Sequence, residues 1–146
     1  MSAKQTDQNI TKSGISGIWS GRYWYNKADF YIPTTVGFSA NLYENNWDIT
    51  GQTLEPNTFV LSELEELSAI VSGGRSESLV QFVKKYEDVP ELMDYDILYS
   101  GEVNESNDRI VGNWSILMDL TSSTGGFELN RISTIASLKR SSAIEL

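Results

Sequence analysis

Two cations and a set of phenols are the side chains here with the most chemistry to offer. Lys84 lies in Phe82-Val83-Lys84-Lys85-Tyr86, and Arg131 follows Phe127 and Leu129 at every second position. Residues two apart share one face of a β-strand, so each cation shares its face with large apolar groups. An ammonium on the inner face of a closed sheet can meet a ligand's carboxylate or phosphate. A phenol in the same space needs a hydrogen-bond partner. Alternation turns Tyr23, Tyr25, Tyr86 and Tyr99 inward to supply hydroxyls, and Phe38, Phe82, Trp114 and Phe127 to supply apolar surface. With Lys84 they form the candidate ligand site. Structural roles compete with this one. Lys84 can extend to the rim with its charge in water, Arg131 can stack on Trp19, and the phenols can bond to one another or to water.

Other chemistries are excluded by what is missing. The chain has no cysteine and no histidine, which removes disulfides, thiolate nucleophiles, imidazole-based triads and the common zinc and haem ligands. No catalytic residue, metal site or cofactor is expected. The inward set contains no carboxylate, so paired-acid glycoside hydrolysis is excluded as well. Lys84 would then lack a protein counter-ion, which places it at or near the open mouth and favours an acidic ligand. Asn104-Glu105-Ser106-Asn107-Asp108 is too short for a calcium loop and is expected to be a solvated turn. A net charge of −9 opposes a phosphate backbone, so no nucleic-acid partner is expected. No run is long enough for a membrane helix. Residues 1–13 carry no apolar core of a signal peptide, so a cytoplasmic location is expected.

The elements that must position these groups are strands. Residues 17–25 place Gly17 and Gly21 among Trp19, Tyr23, Trp24 and Tyr25, and later segments repeat glycine among strand formers. Glycine inside strands marks tight bends and rings lying over bare backbone, as in a closed barrel. Strands are predicted over residues 17–25, 36–43, 47–53, 66–72, 78–86, 96–103, 109–118 and 127–134. Turns fall at 44–46, 73–75 and 122–126, and one helical turn between residues 87 and 94. Residues 58–61 are a candidate edge segment. Residues 1–14 are expected to be a disordered tail, 15–136 one barrel domain, and 137–146 a tail or short helix. The fold class is an all-β, eight-stranded, antiparallel up-and-down barrel. Its inner face is completed by Val36, Ala40, Leu42, Trp47, Ile49, Gly51, Leu67, Ala69, Val71, Val80, Ile97, Gly101, Val103, Ile110, Gly112 and Ile116.

Gly17-Ile18-Trp19 on the first strand, with Arg131 on the last, resembles the calycin superfamily of lipocalins and fatty-acid-binding proteins. The segments 82–86, 99–101, 112–116 and 126–131 are closest to small intracellular calycin-like barrels of unassigned function. The resemblance implies a barrel closed at one end by Trp19 beneath Arg131, and a small ligand in the other. The chain departs from lipocalins in lacking cysteine and from haem-binding relatives in lacking histidine.

Three functions stay open. The first is binding of a small, partly apolar molecule, an acid by the charge argument, in the central cavity. The second is a filled barrel that binds proteins through its acidic surface, or pairs with itself through outward Trp24, Leu79, Val83 and Leu98. The third is a cofactor-independent isomerase or cyclase that only shapes its substrate.

Overall fold

The structure, a computed structural model, describes residues 14–26, 35–58, 63–118 and 121–134. Eight strands follow one another: β1 (Gly17–Tyr25), β2 (Thr35–Asn45), β3 (Asp48–Pro56), β4 (Glu66–Ser76), β5 (Leu79–Tyr86), β6 (Ile97–Val103), β7 (Arg109–Met118) and β8 (Thr121–Thr134). Each pairs antiparallel with the next, and β8 closes on β1 to complete the barrel. The expected all-β, eight-stranded, antiparallel barrel is thus present. The expected tails, the Thr58–Leu61 edge segment beyond Thr58, and the loop around Phe30, Tyr31 and Pro33 lie outside the described residues.

Alternation sorts the side chains. On β2, Val36, Phe38, Ala40 and Leu42 are buried while Thr35, Gly37, Asn41 and Tyr43 are exposed. A period of two admits one core face, and a slip of one residue would put all four outside. Burying each large apolar side chain contributes about 1.5–3 kcal/mol, which pins the register. The same rule puts Trp19 and Tyr23 of β1, Phe82 of β5, Tyr99 of β6, Trp114 of β7 and Phe127 of β8 in one continuous core.

Glycines let the sheet curl around these rings. A Cβ at Gly21 would run into the backbone carbonyl of Glu128 on β8. A Cβ at Gly126 would strike the Trp24 ring, so this glycine makes room for an indole. The expected turn at 122–126 is therefore strand: β8 begins at Thr121, and Gly125 and Gly126 pair with Tyr25 and Trp24. Gly73 and Gly74 likewise lie in the ladder, opposite Phe82 and Gln81, not in the expected turn. The turn falls at Glu77-Ser78 instead, where Glu77 takes a φ of 54°. Neither glycine has positive φ; at Gly73 the missing Cβ admits the backbone of Phe82.

Trp47 is not in the core. It joins Asn46 in the two-residue β2–β3 turn, both at positive φ (74° and 53°), and is 45% exposed. Positive φ at both residues of a two-residue loop matches the twist of the flanking strands. Arg75 lies over the Trp47 ring at 5.7 Å. The helical turn expected after β5 is present: Met93 N–H donates to the Val89 carbonyl at 3.1 Å. Val89 is buried and Leu92 packs on the core, so this segment covers part of the barrel end where β1, β3, β5 and β7 finish.

Candidate functional site

The inner face of β3 carries a residue that changes the charge balance. Alternation runs Ile49, Gly51, Thr53, Glu55, and Glu55 is only 2% exposed. Its Oε1 accepts a hydrogen bond from Lys84 Nζ at 2.6 Å and another from the Tyr86 hydroxyl at 2.8 Å. The Tyr23 hydroxyl donates to Oε2 at 2.5 Å. Glu55 and Lys84 sit on strands separated by β4, level with Leu67 and Val71 respectively. The inward residue between those two is Ala69, whose single methyl leaves the lysine stem a path to the carboxylate.

Two expectations are thereby corrected. The interior does hold a carboxylate, and Lys84 is not at the mouth: it is 0% exposed and paired with Glu55. The segment Leu54-Glu55-Pro56-Asn57 reads as a turn in sequence, but Pro56 closes β3 opposite Glu66, so the alternation continues two residues further.

The ammonium also faces four rings, with Nζ at 4.8 Å from the Tyr86 centroid, 5.1 Å from Tyr23, 5.3 Å from Phe38 and 5.6 Å from Tyr99. Ring faces are negative and attract a cation, most strongly where water is excluded. Burial pushes the Lys84 ammonium below its ordinary value, and the charge and hydrogen bond of Glu55 oppose the fall. Burial, then neighbouring charge, drives the phenols of Tyr23, Tyr86 and Tyr99 upward, so all three remain protonated donors. The cluster can hold a proton network dry and rigid.

Beside it lies a partly open pocket of about 60 Å³. Tyr23, Tyr86 and Tyr99 form one side, and Tyr25, Trp114, Ile97 and Ile116 the other. Leu92 and Tyr95 reach it from the segment after β5. Tyr25 and Trp114 meet edge to face, with centroids 5.0 Å apart. The Trp114 indole N–H is engaged by the Trp24 carbonyl at 3.1 Å. Of the candidate ligand residues, then, Tyr23, Tyr25, Tyr86, Tyr99 and Trp114 share one pocket. Phe38, Phe82, Phe127 and Lys84 lie away from its lining, as packing. Phe82 stacks on Tyr99 at 5.1 Å and Phe127 meets it edge-on at 4.9 Å. Sequence alternation missed Glu55, Leu92 and Tyr95; only the first lay on a continuing period of two.

Toward the opposite end, Trp19 and Arg131 lie together. The Arg131 guanidinium lies 5.5 Å over the Trp19 ring, and its Nη1 donates to the Asn107 carbonyl at 3.0 Å. Trp19 Nε1 donates to the Ile15 carbonyl at 2.9 Å. Asn107 is buried, not solvated as its turn predicts, because its side-chain oxygen accepts from Arg75 at 3.0 Å. On the outside, Leu79 and Leu98 are exposed, while Trp24 and Val83 are half-buried.

Fold and site define, among the described residues, a closed eight-stranded antiparallel barrel with a small aromatic pocket beside a buried polar cluster. No protein-family model and no curated protein matches the chain.

Proposed function

We propose that this is a calycin-like barrel that binds a small, partly apolar molecule by inserting one end of it into the aromatic pocket. The observation that carries this reading is the pocket itself, where five candidate residues converge beside a rigid, dry polar cluster. Eight sequential strands closed into a barrel and the Trp19–Arg131 stack support the calycin-like assignment. At about 60 Å³ the pocket is far below the roughly 300–1,000 Å³ of sites that swallow a drug-sized ligand. It is also under half of the roughly 150 Å³ that encloses a benzene ring. A long lipid chain is therefore not the ligand, and most of any ligand lies outside the pocket. The charge argument for an acid no longer holds, since Glu55 already neutralises Lys84.

A native mass spectrum of the protein purified from its own cell tests the proposal. A discrete small-molecule adduct is expected, lost in Ile97→Trp, which fills the pocket. An adduct that survives the filled pocket, or bare protein throughout, counts against it.

A second reading rests on the outer surface. Leu79 and Val111 are exposed and line a shallow groove of about 610 Å³ with Val103, Glu102 and Arg109. Exposed apolar groups rimmed by charge fit a protein partner or a second copy of the chain. Leu79→Lys with Val111→Lys would abolish such pairing, read by sedimentation at micromolar concentration.

A further inference from the structure

Among the described residues, the pocket lining includes a buried, rigidly held phenol whose hydroxyl is not bonded to the protein. The Tyr23 and Tyr86 hydroxyls donate to Glu55, and the Trp114 N–H to the Trp24 carbonyl. Tyr99 lines the same pocket and is 2% exposed, yet its hydroxyl has no hydrogen-bond partner among the described residues. The buried side-chain atoms without a partner among the described residues are Thr53 Oγ1, Thr58 Oγ1 and Arg131 Nε, so the Tyr99 hydroxyl opens onto the pocket instead of being sealed in the core. Its ring is fixed: Phe82 stacks on one side, Phe127 stands edge-on, and Phe38 closes in at 6.3 Å. The hydroxyl therefore stays at the pocket, where water or a ligand can meet it.

We infer that the Tyr99 hydroxyl donates to a neutral acceptor, a carbonyl oxygen or a ring nitrogen, at the inserted tip of the ligand, and that the pocket discriminates against a carboxylate there. This rests on the pocket proposed above as the ligand site. The first half follows from the unmet hydroxyl. Burial first, then the charges of Glu55 and Tyr25, keep the Tyr99 phenol protonated, so it can only be improved by an acceptor. The second half follows from the surroundings. Lys84, the cation of this end, already gives its short contact to Glu55, and the nearby Tyr23 and Tyr86 donors are also committed to that carboxylate. An incoming carboxylate would lose its hydration and find one neutral donor, which does not offset the loss. A neutral carbonyl loses far less on entry. The wall opposite, Tyr25, Trp114, Ile97 and Ile116, suits a flat apolar body directly behind the acceptor.

Three probes of nearly equal shape separate the possibilities: acetophenone, ethylbenzene and benzoate. Binding is followed by the Trp114 indole N–H and the tyrosine ring signals in NMR titrations of the full chain. Acetophenone is expected to bind about three- to tenfold more tightly than ethylbenzene, the range of one neutral hydrogen bond. Benzoate is expected to bind more weakly than acetophenone. In Tyr99→Phe the acetophenone advantage disappears while ethylbenzene affinity is retained, which also shows that the variant is folded. Equal affinity for acetophenone and ethylbenzene, with shifts confined to the pocket, overturns the Tyr99 inference and leaves the pocket standing. An advantage that persists in Tyr99→Phe overturns it as well. Benzoate binding as tightly as acetophenone overturns the discrimination against acids. No pocket shifts with any probe removes the pocket reading, and the inference with it.

Discussion

Glu55 on β3 holds Lys84 on β5 at 2.6 Å across the face of β4, in an interior that excludes water from both. Removing two charges from water costs several kcal/mol per ion even after relaxation, and their attraction offsets this only with good geometry and further hydrogen bonds. Both conditions are met here. The carboxylate accepts from Lys84, Tyr86 and Tyr23, and the ammonium faces four aromatic rings.

Breaking that pair from one side is expected to be costly. Glu55→Gln keeps the shape and an acceptor for the phenols but leaves the ammonium unpaired, a loss of about 3–5 kcal/mol in urea unfolding. Adding Lys84→Met removes the orphaned charge and is expected to recover most of the loss. Strictly additive losses in this double-mutant cycle would mean that the pair is not coupled.

The fold was largely legible because alternation of apolar and polar residues is a local signal. Val36 through Leu42 declares its face without reference to any other strand. The site was less legible, for reasons visible at single residues. Glu55 is one position before Pro56, and the Pro-Asn pair that follows reads as a turn, so the alternation was cut at Thr53. Whether Lys84 has a counter-ion depends on a carboxylate 29 positions away, and only the strand pairing brings the two together. Trp47 looked inward because it precedes Ile49 by two, but the two-residue turn reverses the chain before alternation begins. Gly125 and Gly126 looked like a turn because glycine has two uses, and only the positions of Trp24 and Trp114 reveal which one applies.

Thr53 is a place where the core can be improved. Its side chain is buried on the inner face of β3, and its Oγ1 has no hydrogen-bond partner among the described residues. Thr53→Val replaces the hydroxyl with a methyl of similar size, retaining the β-branched shape that suits a strand. A stabilisation of about 0.5–2 kcal/mol is expected, since an unmet buried hydroxyl carries a desolvation penalty. A denaturation midpoint that falls would show that the hydroxyl is satisfied in solution.

Where Arg131 rests on Trp19, Trp19→Ala is expected to destabilise by about 3–5 kcal/mol, the range for losing a large buried ring. Arg131→Ala is expected to cost less, because the guanidinium is partly exposed. The two losses are expected to overlap, since the arginine rests on the ring at 5.5 Å. A double variant whose loss equals the sum of the singles would rule out coupling across that contact.

The phenols give the barrel a limit on the alkaline side. Tyr23, Tyr86 and Tyr99 are all raised above the ordinary 10.0, chiefly by burial, with Glu55 adding to each. Below pH 10 both folded and unfolded chains keep these protons, so no stability depends on them. Above it the unfolded chain loses protons that the folded chain retains, so stability falls as pH rises, by about 1.4 kcal/mol per pH unit for each phenol. Lys84 acts in the opposite sense. Its folded value lies below 10.5, so the unfolded chain binds the extra proton and stability climbs with pH until 10.5, then stops changing. The two effects partly cancel between pH 10 and 10.5, and beyond that only the phenols act. Urea midpoints measured from about pH 9 to about pH 11.5 are therefore expected not to fall below pH 10, where only Lys84 acts, and to fall most steeply above 10.5. Tyr23→Phe removes one of the three contributions and is expected to make the alkaline slope shallower by about a third. The same slope in the variant would show that Tyr23 ionises in the folded protein as it does in the unfolded chain, which its short bond to Glu55 does not allow.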